Sequence, residues 1–233
     1  MTTTPPQVQV VDHPDHAVPL LLEAVGAVAS EQPRPLIGFA TGSTFAPFFG
    51  ALDAALRDGT LPTFVATHLD EYVGCTPETP GGMVHELFSV CPEFRRLKER
   101  GAFIPVPGVE DGSAIRRHES RLAEAAPEGI ALQLLGLGRN GHIAFNEPGT
   151  PFELGFHTVE LAESTRDDAR ARFSPLDPPR RAVTAGPASI LDARQIILCA
   201  FGATKADAVR AMLHGSITPA CPASVLRRHS DVR

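Results

Sequence analysis

The stretch LLGLGRNGHIAFNEPG, residues 134–149, continues the apolar run Ile130-Ala131-Leu132-Gln133-Leu134-Leu135 and contains Gly136-Leu137-Gly138-Arg139-Asn140-Gly141, a literal G-x-G-x-x-G. A dinucleotide-binding fingerprint has this spelling, but its last glycine must open a helix whose N-terminus holds the pyrophosphate. Only six residues separate Gly141 from Pro148, and Gly149 and Pro151 follow at once. Proline cannot sit inside a helix without losing a hydrogen bond and clashing with the preceding turn, so no crossover helix of ordinary length fits here. Glu160, at the end of FHTVEL, mimics the usual ribose-binding acid, and the spelling alone would mislead. The stretch reads instead as a loop at the carboxyl end of a strand, the edge where open α/β sheets bind ligands.

Outward from this loop, strands and helices alternate. VQVVD (8–12), PLIGFA (35–40), TFVATHL (63–69), AFIPV (102–106), residues 130–135 and QIILCAF (195–201) read as strands. Residues 15–30, 45–56, 82–90, 113–125, 163–173 and 204–214 read as helices, and a last one is expected around CPASVLRRH. TGST (41–44) is a turn, and DEYVGCTPETPGG is a loop. Without repeats or a linker, the pattern predicts one domain over 1–233. Its expected architecture is a three-layer αβα sandwich around a mainly parallel, Rossmann-like sheet.

The totals fit that picture. At 233 residues and 43% hydrophobic the chain can bury one sizeable core. Its net charge of −6 is spread without a basic stripe, which argues against nucleic acid or an anionic membrane as partner. Cys75, Cys91, Cys199 and Cys221 are far apart, as expected for buried thiols in a reducing cytoplasm. The opening MTTTPPQ lacks the apolar region of a signal peptide, and no stretch approaches membrane-spanning length. Of 21 basic residues only Lys98 and Lys205 are lysines, so a lysine here hints at a position that needs a compact ammonium.

Three segments carry chemistry. In the quoted loop, His142 has Asn140 two residues before it and Glu147 five after, a set suited to proton transfer near neutral pH. Alone, it equally describes a surface histidine with Glu147 capping a turn. In THLDEYVG (67–74), Asp70 and Glu71 follow directly on a strand, beside Tyr72, the sole tyrosine. Asp70 there can serve as a base toward a carbon acid, or cap the loop as an Asx turn. Gly42-Ser43-Thr44 lies between a strand and a helix, where backbone N–H groups bind phosphate, although the segment is no Walker loop.

These segments, in this order and with GATKADA near the end, resemble the glucosamine-6-phosphate deaminase (isomerase) family, part of a superfamily that includes 6-phosphogluconolactonase. The similarity runs from about Pro35 to His229, and DEYVG with GRNGHIAFNEPG carries it. A lactonase resemblance would call for a Gly-His-Thr-Ala-Ser continuation instead. The resemblance implies that Asp70 moves the proton between C2 and C1, that His142 opens the sugar ring, and that Glu147 supports it. Asn140 stands where one deaminase branch has aspartate. Phosphate contacts are implied for Gly42, Ser43, Thr44, Thr150, an arginine and Lys205. Arg172 is the preferred arginine over Arg170, because it directly precedes Phe173.

The implied activity is conversion of glucosamine 6-phosphate to fructose 6-phosphate and ammonia, in amino sugar breakdown, with no metal or organic cofactor. Galactosamine 6-phosphate deamination, lactone hydrolysis and a silent sugar-phosphate sensor are the rivals. A cytoplasmic monomer or small homo-oligomer is expected, with residues 150–180 as a lid. PETPGGM departs from the serine-aromatic pair expected after DEYVG. The sequence also reaches Arg233 without the family's closing apolar strand, so either the chain is cut short or its sheet lacks an edge strand.

Overall fold

The computed structural model describes residues 6–233; the first five residues of the opening MTTTPPQ lie outside the described part. In chain order the elements are α1 (Ala17–Glu31), β1 (Leu36–Phe39), α2 (Ala46–Arg57), β2 (Val65–His68), β3 (Asp70–Tyr72), α3 (Met83–Val90), α4 (Glu93–Glu99), β4 (Phe103–Ile104) and α5 (Gly112–Ala125). There follow β5 (Leu132–Gly136), β6 (His157–Glu160), α6 (Glu163–Phe173), β7 (Arg181–Thr184), α7 (Pro187–Leu191), β8 (Ile196–Cys199) and α8 (Ala206–His214).

The main sheet has the order β4-β2-β1-β5-β8, and all its pairings are parallel. Its strands are apolar on both faces, as a doubly covered parallel sheet requires. Ile37, Ala66 and Phe103 join the core under α1 and α2, while Leu36, Val65 and Ile104 pack with Leu122 of α5 on the other side. Phe39 anchors the first side, 5.0 Å from Phe94 and 5.9 Å from Phe64 between ring centres. The chain runs from β1 outward to β2 and β4, then returns to β5 on β1's other flank. The crevice between the ends of β1 and β5 is therefore a topological switch point, the expected ligand position in such sheets.

The structure departs from the expected alternation in several places. The loop DEYVG begins with a strand: β3 pairs antiparallel with β7, which pairs antiparallel with β6, so a second sheet of order β3-β7-β6 stands beside the first. β7, α4 and α7 are short elements without a full period of pattern, and the sequence reading did not foresee them. VQVVD is no strand. Val8 and Val10 are 64% and 86% exposed, so the segment's alternation has no core to face, and β propensity without burial decides nothing. The expected last helix is a 3-10 helix, Pro222–Arg228. The sheet edge beyond β8 is also occupied: Val232 lies parallel to Ile196, with Leu198 N donating to Arg233 O at 2.9 Å and Arg233 N to Ile196 O at 2.9 Å. All four cysteines are buried and unpaired. Among the described residues no helix is long and apolar enough to cross a membrane.

Candidate active site

A cavity of about 750 Å³ opens at the switch point between β1 and β5. One wall is the turn after β1. Gly42 sits at φ +105°, a conformation that favours glycine, and it starts a 3-10 turn, Ser43–Phe45, that leads into α2. Ser43 and Thr44 thus border the cavity just before α2, at the positive end of a helix.

The opposite wall is the quoted loop. No helix follows Gly141 until α6, and the glycines serve the loop itself. A Cβ on Gly138 would come within 2.4 Å of the His142 ring, so the missing side chain is what lets the imidazole lie against the backbone. Gly141 has φ +85°, and a Cβ there would also meet Cys221 Sγ at 2.8 Å. Ala144 is held at φ +51°, a left-handed conformation rare for a residue with a side chain, two residues after His142. Asn146 secures this bend by donating to Ile143 O and, across the fold, to Ala185 O at 2.8 Å.

The second sheet explains why two separate strand ends meet. Asp70, at the start of β3, is paired in register with Thr184 of β7. Thr184 Oγ1 in turn accepts the backbone N–H of Phe145, three residues past His142, at 3.1 Å. β7 is therefore the shared scaffold of the aspartate and the histidine loop.

Asp70 is buried and its proton affinity is pushed up to about 7. Desolvation is the main cause and the neighbouring Glu71 adds to it, while the Arg172 guanidinium opposes both. Glu71 faces away from the chemistry. Its carboxylate accepts the N–H groups of Tyr72, Met83 and Val84 at 2.8–2.9 Å and so caps the start of α3.

His142 is lowered from the usual histidine value by burial, which Glu147 partly offsets. Its Nδ1 lies 2.8 Å from Asn140 Oδ1, and that oxygen also accepts the His142 backbone N–H at 3.1 Å. Asn140 Nδ2 donates to Glu147 Oε2 at 2.8 Å, and that carboxylate oxygen is 3.8 Å from His142 Nδ1. With Asn140 oriented by these contacts, Nδ1 carries the proton and Nε2 is left as the ring's acceptor.

The cations come from two further elements. Lys205 ends the 3-10 turn after β8, and its Nζ donates to Leu137 O at 2.7 Å. Arg172 Nη2 donates to Tyr72 Oη at 3.0 Å, and its buried Nε has no partner within the protein. Arg170 is exposed and pairs with Asp167 and Asp177, so helix phase separates the two arginines: Thr165, Asp168 and Arg172 share the face of α6 that lines the cavity.

Of the residues read from the sequence, Asp70, Asn140, His142, Gly42, Ser43, Thr44, Arg172 and Lys205 line one cavity. Glu147 stands behind Asn140 and His142 rather than on the wall. Thr150 does not line the cavity: its hydroxyl donates to Glu147 O at 2.7 Å and closes the turn after the loop. Arg139, Thr165 and Asp168 line the cavity and were not read from the sequence. Stepping back along a helix from Arg172 by four and seven residues would have found the last two. Among the described residues no group of three or more histidine, cysteine or acidic side chains is arranged to hold a metal ion.

Comparison with known proteins gives concordant matches. A glucosamine-6-phosphate deaminase of Leuconostoc citreum is 43% identical over 84% of this chain and 82% of its own length. One from Lactobacillus helveticus is 38% identical over 84% and 80% respectively. A solved structure of a monomeric glucosamine-6-phosphate deaminase superposes with a TM-score of 0.87 at 32% identity, covering 97% of this chain and 95% of that one. The 6-phosphogluconolactonase of Trypanosoma cruzi, at TM-score 0.75 and 17% identity over 99% of this chain and 94% of its own, shares the fold. The model of the glucosamine-6-phosphate isomerases/6-phosphogluconolactonase family matches residues 15–233, and the chain belongs to that family.

Proposed function

We propose that the protein converts glucosamine 6-phosphate to fructose 6-phosphate and ammonia. The observation that carries this reading is that Asp70, His142 and Asn140, with Glu147 behind them, face the same cavity as Lys205, Arg172 and the Gly42 turn. The deaminase relatives support the same substrate.

The residues divide the work by their chemistry. The phosphate binds at the mouth of α2, between the Ser43 and Thr44 amides and the cations, far from the reacting carbons. Its binding energy holds the hexose in place. Neutral His142 takes the C1 hydroxyl proton on Nε2 and passes it to the ring oxygen, opening the sugar. The transient imidazolium is matched by Glu147 through Nδ1 and Asn140. Ionised Asp70 then removes the C2 proton, giving an enediol-type intermediate, and returns the proton to C1. The C2 nitrogen becomes an imine, water adds, and ammonia leaves. Residues 150–180, with α6 at their centre, act as the lid over this site. The protein works as a monomer or small homo-oligomer, a reading supported by the monomeric structural relative.

Ammonia release with glucosamine 6-phosphate, galactosamine 6-phosphate and a 6-phosphogluconolactone as parallel substrates tests the assignment. Ammonia from the gluco sugar is expected. Lactone consumption without ammonia from either amino sugar would overturn the reading. Asp70→Asn should lose at least about a hundredfold in turnover while still binding the sugar phosphate, as measured by calorimetry.

A further inference from the structure

α6 touches the histidine loop at two points of unequal kind. Arg139 Nη2 meets the Asp168 carboxylate at 3.3 Å, with both side chains well exposed, where an ion pair contributes little. Thr165 Oγ1 donates to Glu147 Oε1 over 2.6 Å in a half-buried setting. In a helix a threonine hydroxyl ordinarily returns to a carbonyl one turn back; this one reaches across to another segment. The last torsion of a glutamate is soft and roughly two-fold, so whatever engages one oxygen helps decide where the other points. Here Oε1 is taken by Thr165, and Oε2 is directed at Asn140 Nδ2 and stands 3.8 Å from His142 Nδ1.

We infer that Thr165 is a positioning residue: from α6 its hydroxyl locks the Glu147 carboxylate in the rotation that serves Asn140 and His142, so that seating α6 over the cavity completes the proton-transfer couple. The inference rests on the deaminase reading for its consequence in catalysis, but not for the contact itself. Thr165 lines the cavity, but its hydroxyl is engaged by Glu147, which does not, so the hydroxyl acts on the reaction through another side chain. The other charged groups that bear on the imidazole are Lys205 from the turn before α8 and Asp168 from α6 itself. Removing the Thr165 hydroxyl leaves both in place.

The test uses Thr165→Val and Thr165→Ala, which lack the donor, and Thr165→Ser, which keeps it. Histidine imidazoles are followed by NMR in the ligand-free enzyme, with His142→Gln to assign the signal. Without the donor the Glu147 carboxylate swings away, and the His142 midpoint should fall by about half a pH unit. Serine should restore it. With glucosamine 6-phosphate, kcat should fall about tenfold in Thr165→Val while KM stays within about threefold. Adding Thr165→Val to Glu147→Ala should cost less than about twofold further, because the acceptor of the Thr165 hydroxyl is already gone. An unmoved His142 midpoint, or losses that multiply in the double variant, would overturn the inference. Absence of ammonia from the wild-type enzyme would defeat the deaminase reading yet leave the NMR result to decide the contact.

Discussion

At the scale of single residues, Asp70 shows how burial moves a carboxylate's pKa toward neutral pH. Burial and Glu71 raise its pKa to about 7, and Arg172 keeps it from rising further. A base with its pKa near the working pH combines a useful ionised fraction with real proton affinity. The rate constant kcat/KM should therefore climb as pH rises through about 7. Glu71→Gln removes the adjacent negative charge and should move that limb to lower pH, seen in a pH–rate profile. The same change should lower the melting temperature, since a single amide oxygen replaces the carboxylate that accepts the N–H of Tyr72 and the two first N–H groups of α3. The raised pKa also has a stability cost. The native protein holds the Asp70 proton more tightly than the unfolded chain, so its contribution is full below the ordinary value of 3.8 and is lost as pH rises through about 7. Asp70→Asn should accordingly be inactive but stabilised, with a gain roughly 2 kcal/mol larger at pH 8 than at pH 5 by denaturant unfolding. An equal gain at both pH values would mean that Asp70 is not desolvated.

At the scale of elements, α6 shows how one helix face can carry chemistry. Ala169 and Phe173 are buried, while Thr165, Asp168 and Arg172 face the cavity at helical spacing. The cavity-facing stripe is polar and is satisfied by a ligand better than by a core. Amide hydrogen exchange over residues 163–173 should slow by at least about tenfold when a sugar phosphate binds, while exchange over β5 stays unchanged. Equal protection of α6 with and without ligand would argue against a lid. The same spacing marks where sequence reading works and where it stops. The loop from Gly136 to Gly149 was legible because Pro148 and the following Pro151 forbid a crossover helix, and the residues between Gly141 and Pro148 are chemically unusual. Asp70 was legible as a residue but its strand was not. β3 is three residues long, and its partner β7 lies about 110 positions away in the chain, so no local period announces the pairing. Thr150 was misplaced for a related reason: its hydroxyl can bond a carbonyl three residues back, and that local bond took precedence. VQVVD shows the converse, a strand-like spelling in which Val11 alone reaches the core while Val8 and Val10 stay exposed.

At the scale of the whole molecule, the sheet that carries the site also buries a charge-averse pair beneath it. His68 ends β2, two residues before Asp70, and His118 faces it from α5. His68 Nε2 accepts the N–H of Val106 at 2.9 Å, so the native ring is neutral, and its pKa is lowered to about 3 by burial first and His118 second. His118 is lowered to about 4 by burial and by Arg121, and its ring packs edge-on to Phe156. Both native values lie below the ordinary 6.5. The unfolded chain therefore binds protons that the native one refuses, and the stabilisation, full above about 6.5, is lost as pH falls toward 4 and then 3. For His118 alone this amounts to about 2 kcal/mol between pH 7 and pH 5. Neither ring nitrogen of His118 makes a well-formed hydrogen bond, the Pro105 carbonyl offering only a weak contact, so an apolar residue of similar size gives up little. His118→Leu should unfold less readily than wild type at pH 5, with a smaller difference at pH 8. Asp70 works in the opposite direction over part of the same range, so the comparison is cleanest in the Asp70→Asn background, where that opposing titration is gone. If His118→Leu shifts stability by the same amount at both pH values, the acid sensitivity of this fold originates elsewhere than beneath its active site.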